Sequence, residues 1–125
     1  MNLLCTATLE VKKSKFIGYL YDIESKDEIK KIINILKKEH KKANHFVYAF
    51  KVNNTAGKSD DKEPSGTAGI QLYNILEMNN AQNKLLVVVR FFGGTKLGAG
   101  LLARTYKNSA LQTLKLYNEI NQNYL

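Results

Sequence analysis

The hydrophobic pattern changes period several times along the chain, and each change marks an element. Residues 6–11 alternate loosely and residues 16–23 are apolar and aromatic. They read as two strands joined by the short basic turn Lys12-Lys13-Ser14-Lys15. Ser25-Lys26-Asp27-Glu28 has the form of a capping box, in which the serine and the acid three residues on satisfy each other's backbone N–H groups. Ile29, Ile32, Ile33 and Leu36 then follow at i, i+3, i+4 and i+7, one face of a helix. Residues 45–52 alternate aromatic and small side chains and predict a third strand. Residues 53–65 read as loop, and residues 66–78 as a second helix with Leu72, Ile75 and Leu76 inward. Leu85-Leu86-Val87-Val88-Val89 is a continuous apolar run, the pattern of a strand covered on both faces. A long third helix is expected from about residue 99 to 118, with Leu102, Tyr106, Ala110, Leu114 and Tyr117 on one side. The order β-β-α-β-α-β-α predicts an α+β fold: a two-layer sandwich, with a mixed sheet and its helices on one face.

Length and composition fit a single domain spanning residues 1–125. No repeat or linker interrupts it. The apolar fraction, 44%, is enough for a real core. Cys5 has no second cysteine to pair with, which suits a reducing compartment. The residues before Cys5 leave no room for a secretory signal, and no apolar run reaches the ~20 residues of a membrane span. The expected location is the cytoplasm, with no membrane association.

The net charge of +8 favours polyanionic partners, nucleic acid first. A lysine- and asparagine-rich composition produces such a charge without any ligand, so position matters more than total. The lysines around residues 30–42 lie on the polar side of the first helix and read as a solvated face. Arg90 and Arg104 are the only arginines, and both fall in or just after a glycine-rich segment.

Two such segments, residues 59–69 and 90–100, hold six of the eight glycines and the one proline. The first carries the acids Asp60, Asp61 and Glu63; the second carries Arg90 and Lys96. Glycines beside charges at the ends of regular elements suggest a binding surface of loops on a rigid scaffold. Gly98-Ala99-Gly100-Leu101-Leu102-Ala103 fits a dinucleotide-binding string, but the strand ends too early and no following strand completes the unit. Gly94-Thr95-Lys96 lacks the spacing of a phosphate-binding P-loop. The three acids are able to hold a cation or to order the facing loop by pairing with Arg90 or Lys96; whether a metal binds stays open. His40 and His45 belong to no recognisable catalytic constellation, and no catalytic residue is assigned. Anion capture agrees best with the charge. Gly66 and Gly69 open one predicted helix and Gly98-Ala99-Gly100 opens another, and helix N-termini present free N–H groups to anions. Arg90, Lys96 and Arg104 would add charged donors, and Gly93 and Gly94 would admit close backbone approach.

These strings resemble the signature blocks of the IMPACT/YigZ family, DDGEPSGTAG-x-P and V-x-R-Y-F-G-G-x-x-L-G-x-G-G-L-x-R-A-Y. They stand here from Asp60 to Gln71 and from Val88 to Tyr106. The Lys13–Ile17 turn and the Ala43–Phe50 strand also resemble family blocks, so the likeness covers nearly the whole chain. Lys62 and Leu101 replace family glycines, Gln71 a family proline and Thr105 a family alanine. The resemblance implies the fold of the second domain of the small-subunit ribosomal protein numbered five, with a left-handed βαβ crossover. It also implies the family's N-terminal domain without the ferredoxin-like domain that follows it in many bacterial relatives. Eukaryotic relatives regulate translation initiation. The expected function is therefore a non-enzymatic module, without cofactor, that binds RNA or a ribosome-associated partner and acts on translation. The alternatives are a small hydrolase or transferase for a phosphorylated or peptide-like substrate, and a pure protein-interaction domain. Oligomeric state is left open.

Overall fold

The computed structural model describes residues 1–122. The chain runs β1 (Asn2–Val11), β2 (Ser14–Asp22), α1 (Glu28–Glu39), β3 (His45–Val52), β4 (Thr55–Ser59), α2 (Gly69–Met78), β5 (Lys84–Phe91) and α3 (Ala99–Gln122). The α+β class is as expected. The strands form one sheet in the order β1-β2-β5-β3-β4. Every neighbouring pair is antiparallel, so the expected mixed sheet is corrected. Parallel strands do exist, β2 with β3 and β4 with β5, but an antiparallel strand separates each pair.

The helices do not share one face. Leu72, Ile75 and Leu76 of α2 and Leu102, Tyr106, Ala110 and Leu114 of α3 pack with Phe16, Leu20, Val47, Leu86 and Val88. Ile29, Ile32 and Leu36 of α1 pack with Ile17, Phe46, Phe50, Leu85, Val87 and Val89 on the opposite side. The cause is β5: residues 85–89 are fully buried, and a strand apolar on both sides requires cover on both. The molecule is thus three layers, α1, sheet, and α2 with α3.

This arrangement fixes a rare feature of hand. β2-α1-β3 and β4-α2-β5 are both crossovers between parallel strands. A half-turn about the sheet normal superposes their strand senses and direction of travel, yet their helices lie on opposite faces. The two crossovers are therefore of opposite hand, and one is left-handed, against the usual right-handed rule.

Strand β4 lies where a loop was expected. Its sequence, Thr-Ala-Gly-Lys-Ser, carries no large apolar side chain, because it is an outer strand with three of its five residues exposed. The signal present was the turn: Asn53 and Asn54 both take positive φ, 49° and 63°, as a two-residue hairpin requires. Lys12 and Lys13 do the same between β1 and β2, at 48° and 69°. Helix α2 begins three residues later than expected, at Gly69. The capping box forms in part: Glu28 Oε2 accepts from Ser25 N at 2.9 Å, while Ser25 Oγ accepts from Asp27 N.

Helix α3 lies close over β1 and β2 through a row of small residues, Thr105, Ser109 and Thr113, all buried. The Cys5 thiol donates to the Thr113 carbonyl, and burial pushes its pKa up. A Cβ on Gly18 would stand 2.1 Å from Thr113 Oγ1. We expect Gly18→Ala to lower stability by about 1–3 kcal/mol, the usual cost of overpacking. Adding Thr113→Ala should recover most of the loss in chemical denaturation, a non-additivity that contact between the two sites requires.

Candidate functional site

The two glycine segments meet at the end of the sheet where β5 finishes and β3 begins. His45 and Arg90 are register partners there, with Phe16 on the other side of Arg90. Asn44 seals the junction: its N–H donates to the Arg90 carbonyl at 2.8 Å, and its Oδ1 accepts from Phe92 N at 2.8 Å.

Glu63 is the centre of the junction. It is 7% exposed, and Arg90 is 6% exposed. Arg90 Nη1 donates to both carboxylate oxygens, at 2.9 and 2.7 Å. The Tyr106 hydroxyl of α3 donates to Glu63 Oε2. His45 Nε2 lies 3.4 Å from Glu63 Oε1. Its Nδ1 is 2.8 Å from the Asp61 carbonyl, an oxygen that only accepts, so Nδ1 carries the proton. Burial, and then the neighbouring Glu63 charge, push the Tyr106 phenol well above its ordinary pKa; it remains a donor. The Arg90 guanidinium lies over the Phe16 and Phe92 rings, 5.4 and 5.9 Å from their centroids. Its Nε is buried without a hydrogen-bond partner.

The other two acids also turn inward. Asp60 Oδ1 accepts from Gly69 N at 2.8 Å and Oδ2 from Gly66 N at 3.2 Å. The N-terminus of α2, expected to receive an external anion, is thus occupied by the chain's own carboxylate. Asp61 Oδ2 accepts from Phe46 N at 2.6 Å. All three acids are thus hydrogen-bonded within the fold, and no group of three or more His, Cys, Asp or Glu that could hold a metal ion is found among the described residues. Lys62 keeps the left-handed backbone, φ 70°, that its family glycine would adopt freely.

Above this junction opens a cleft of about 520 Å³. Arg90, Glu63 and His45 line it from below. Phe92, Leu97, Leu102 and Pro64 give it apolar walls, and Lys96, Gly98 and Ala99 bring in the start of α3. Of the expected cationic residues, the structure brings Arg90 and Lys96 to the cleft. Arg104 is exposed further along α3 and does not line it. Gly93 serves packing: a Cβ there would lie 2.1 Å from the Lys13 backbone. Gly94 is exposed with φ 90°, open space around it. Sequence reasoning missed Phe92, Leu97, Leu102 and Asn44. Periodicity assigns Leu102 to the inward side of α3 and is silent on Phe92 and Leu97; only the fold shows that Phe92 is left 47% exposed.

Breaking one partner of a buried ion pair leaves the other charge uncompensated, at a cost of about 3–5 kcal/mol. Arg90→Lys keeps the charge but loses the planar fork, so we expect a loss of about 2–4 kcal/mol in urea denaturation, with Glu63→Gln at least as severe. Lys62→Gly should act oppositely, raising stability by up to about 1 kcal/mol, because glycine takes positive φ without steric cost.

A family model for the Impact N-terminal domain matches residues 12–114. The chain is 36% identical over 107 residues to the IMPACT family member YvyE of Bacillus subtilis, covering 83% of this chain and 49% of that protein. It is 38% identical over 112 residues to an IMPACT family member of Haemophilus influenzae, covering 86% and 54%. Identity with YigZ of Escherichia coli is 33% over 115 residues, covering 88% and 56%. The chain thus spans about half the length of these curated relatives. Among solved structures, the crystal structure of a hypothetical protein superposes with a TM-score of 0.84 at 33% identity, covering 88% of this chain and 56% of that one. The two-domain translational regulator Yih1 shares the fold, with a TM-score of 0.50 at 21% identity over 88% of this chain and 45% of its own. Matched over most of its length by the family model and by these relatives, the chain belongs to the IMPACT family.

Proposed function

We propose that this domain is a non-enzymatic binding module acting on translation, and that the cleft above Glu63 and Arg90 is where it contacts RNA. The observation that carries the reading is the division of charge. All three acids of the first glycine segment are consumed inside the fold, while Lys96 stands exposed at the cleft beside the first turn of α3. Among the described residues, Lys51 and Lys84 are the lysines in ion pairs; the other lysines are all exposed, as a polyanion partner would need. A structural relative described as a translational regulator fits the same reading. A hydrolase or transferase is less well supported. None of the cleft's lining residues is Ser, Thr or Cys, and both nitrogens of His45 face oxygens of the chain, so an activated nucleophile is missing.

The test is titration of labelled single-stranded RNA at rising salt. Affinity should fall with a log–log slope of about −0.7 per neutralised phosphate. Lys96→Glu should weaken binding at least about tenfold, the scale of losing one charge-assisted contact, and Lys30→Glu on α1 distinctly less. Equal losses at both positions would remove the defined site. Absence of RNA binding, with capture of a ribosomal protein that Lys96→Glu abolishes, would move the partner from RNA to protein.

A further inference from the structure

The cleft is shaped for more than a phosphate. Its volume, about 520 Å³, lies in the range of small-molecule sites, and its two ends differ in chemistry. One end is apolar: Phe92 and Leu97 line it. Phe92 is almost half exposed, and two contacts fix its position, the Asn44 side chain on its N–H and the Arg90 guanidinium under its ring. An ordered, exposed aromatic ring at the wall of a cleft is a stacking platform. The other end is the start of α3. Leu102 N donates to the Gly98 carbonyl, and no side chain among the described residues caps the N–H groups of residues 99–101. Asp60 fills the corresponding position of α2. Beside it are Lys96 and Arg90, the latter 6% exposed with its Nε lacking a hydrogen-bond partner.

An apolar slot with a ring on its wall suits a nucleobase, and a helix N-terminus with a lysine beside it suits a phosphate. We infer that the cleft takes one extruded nucleotide, its base seated against Phe92 and Leu97 and its phosphate at the first turn of α3 and Lys96. The inference rests on the RNA reading above and adds the unit that is recognised. It also explains why a buried ion pair forms the floor. Glu63 neutralises the Arg90 charge, so a bare anion gains little at the floor of the cleft.

The test uses the full chain with a short single-stranded RNA, and with adenosine monophosphate, uridine monophosphate, ribose 5-phosphate and inorganic phosphate as competitors. A mononucleotide should displace the RNA at least about tenfold better than ribose 5-phosphate or phosphate. It should also shift the amide resonances of Phe92, Leu97 and Gly98. Phe92→Ala should weaken RNA binding about ten- to a hundredfold, the loss of one stacked base; Phe92→Trp should retain it, with unchanged melting temperatures showing that both variants fold. Ribose 5-phosphate competing as well as a mononucleotide would overturn base insertion. RNA binding unchanged in Phe92→Ala would overturn it too, and would leave the RNA reading standing. Mononucleotide binding without any RNA binding would support the nucleotide cleft and end the RNA reading. Binding of neither would end both.

Discussion

One buried carboxylate holds the functional end of this molecule together. Glu63 comes from a loop, Arg90 from the central strand, Tyr106 from the long helix and His45 from the start of β3. The β3–β5 ladder brings His45 and Arg90 together and core packing brings Tyr106, and Glu63 is the group that bonds or faces all three. A lone carboxylate there would be too costly to bury, and so would a lone guanidinium beside a strand whose preceding five residues are fully buried. Each makes the other tolerable, and the bond ties the two glycine segments across 27 residues of chain. Asp60 and Asp61 extend the same logic by satisfying backbone N–H groups of α2 and β3.

Much of the framework was legible because periodicity reports burial. The apolar spacing of α1 and α3 and the run in β5 each predicted which residues face inward. The run in β5 also implied cover on both faces, and it was this implication, not the helix order, that decided where α1 lies. Periodicity is silent on β4, whose residues are small or polar because it is an outer strand. It is silent too on hand, since no local pattern encodes which side of a sheet a crossover takes; only the opposition of α1 and α2 across one sheet reveals it. At the site, charge was legible and role was not. The sequence left Arg90 between a ligand anion and an internal acid, and the fold gives it Glu63. Phe92 carries no periodic signal of its own, and its ring lines the cleft.

The family departures are explicable in the same terms. Lys62 occupies a left-handed position without glycine, a strain the two preceding acids, Asp60 and Asp61, hold in place by their bonds to α2 and β3. Gln71 replaces a proline in the first turn of α2, where a backbone N–H has no intrahelical i−4 acceptor to lose; here it bonds the Ala68 carbonyl instead. Thr105 replaces an alanine on the buried side of α3 and satisfies its hydroxyl on the Leu101 carbonyl at 2.7 Å. None of these changes disturbs the partners of Glu63.

The ion pair also determines what the cleft is able to discriminate. A free arginine in a pocket would attract any anion strongly, since Coulomb attraction grows as water is excluded. Arg90 is not free: both oxygens of Glu63 meet its Nη1 within 2.9 Å. A ligand entering the cleft therefore meets a near-neutral floor, and the unpaired positive charge lies at the rim with Lys96. Long-range attraction and local selection are thus separated in space. On the reading proposed above, the surface lysines and Lys96 would set how quickly and how salt-dependently a polyanion arrives. On that same reading, the apolar walls select what stays, because they reward a planar group that fills the slot and give nothing to a solvated ion.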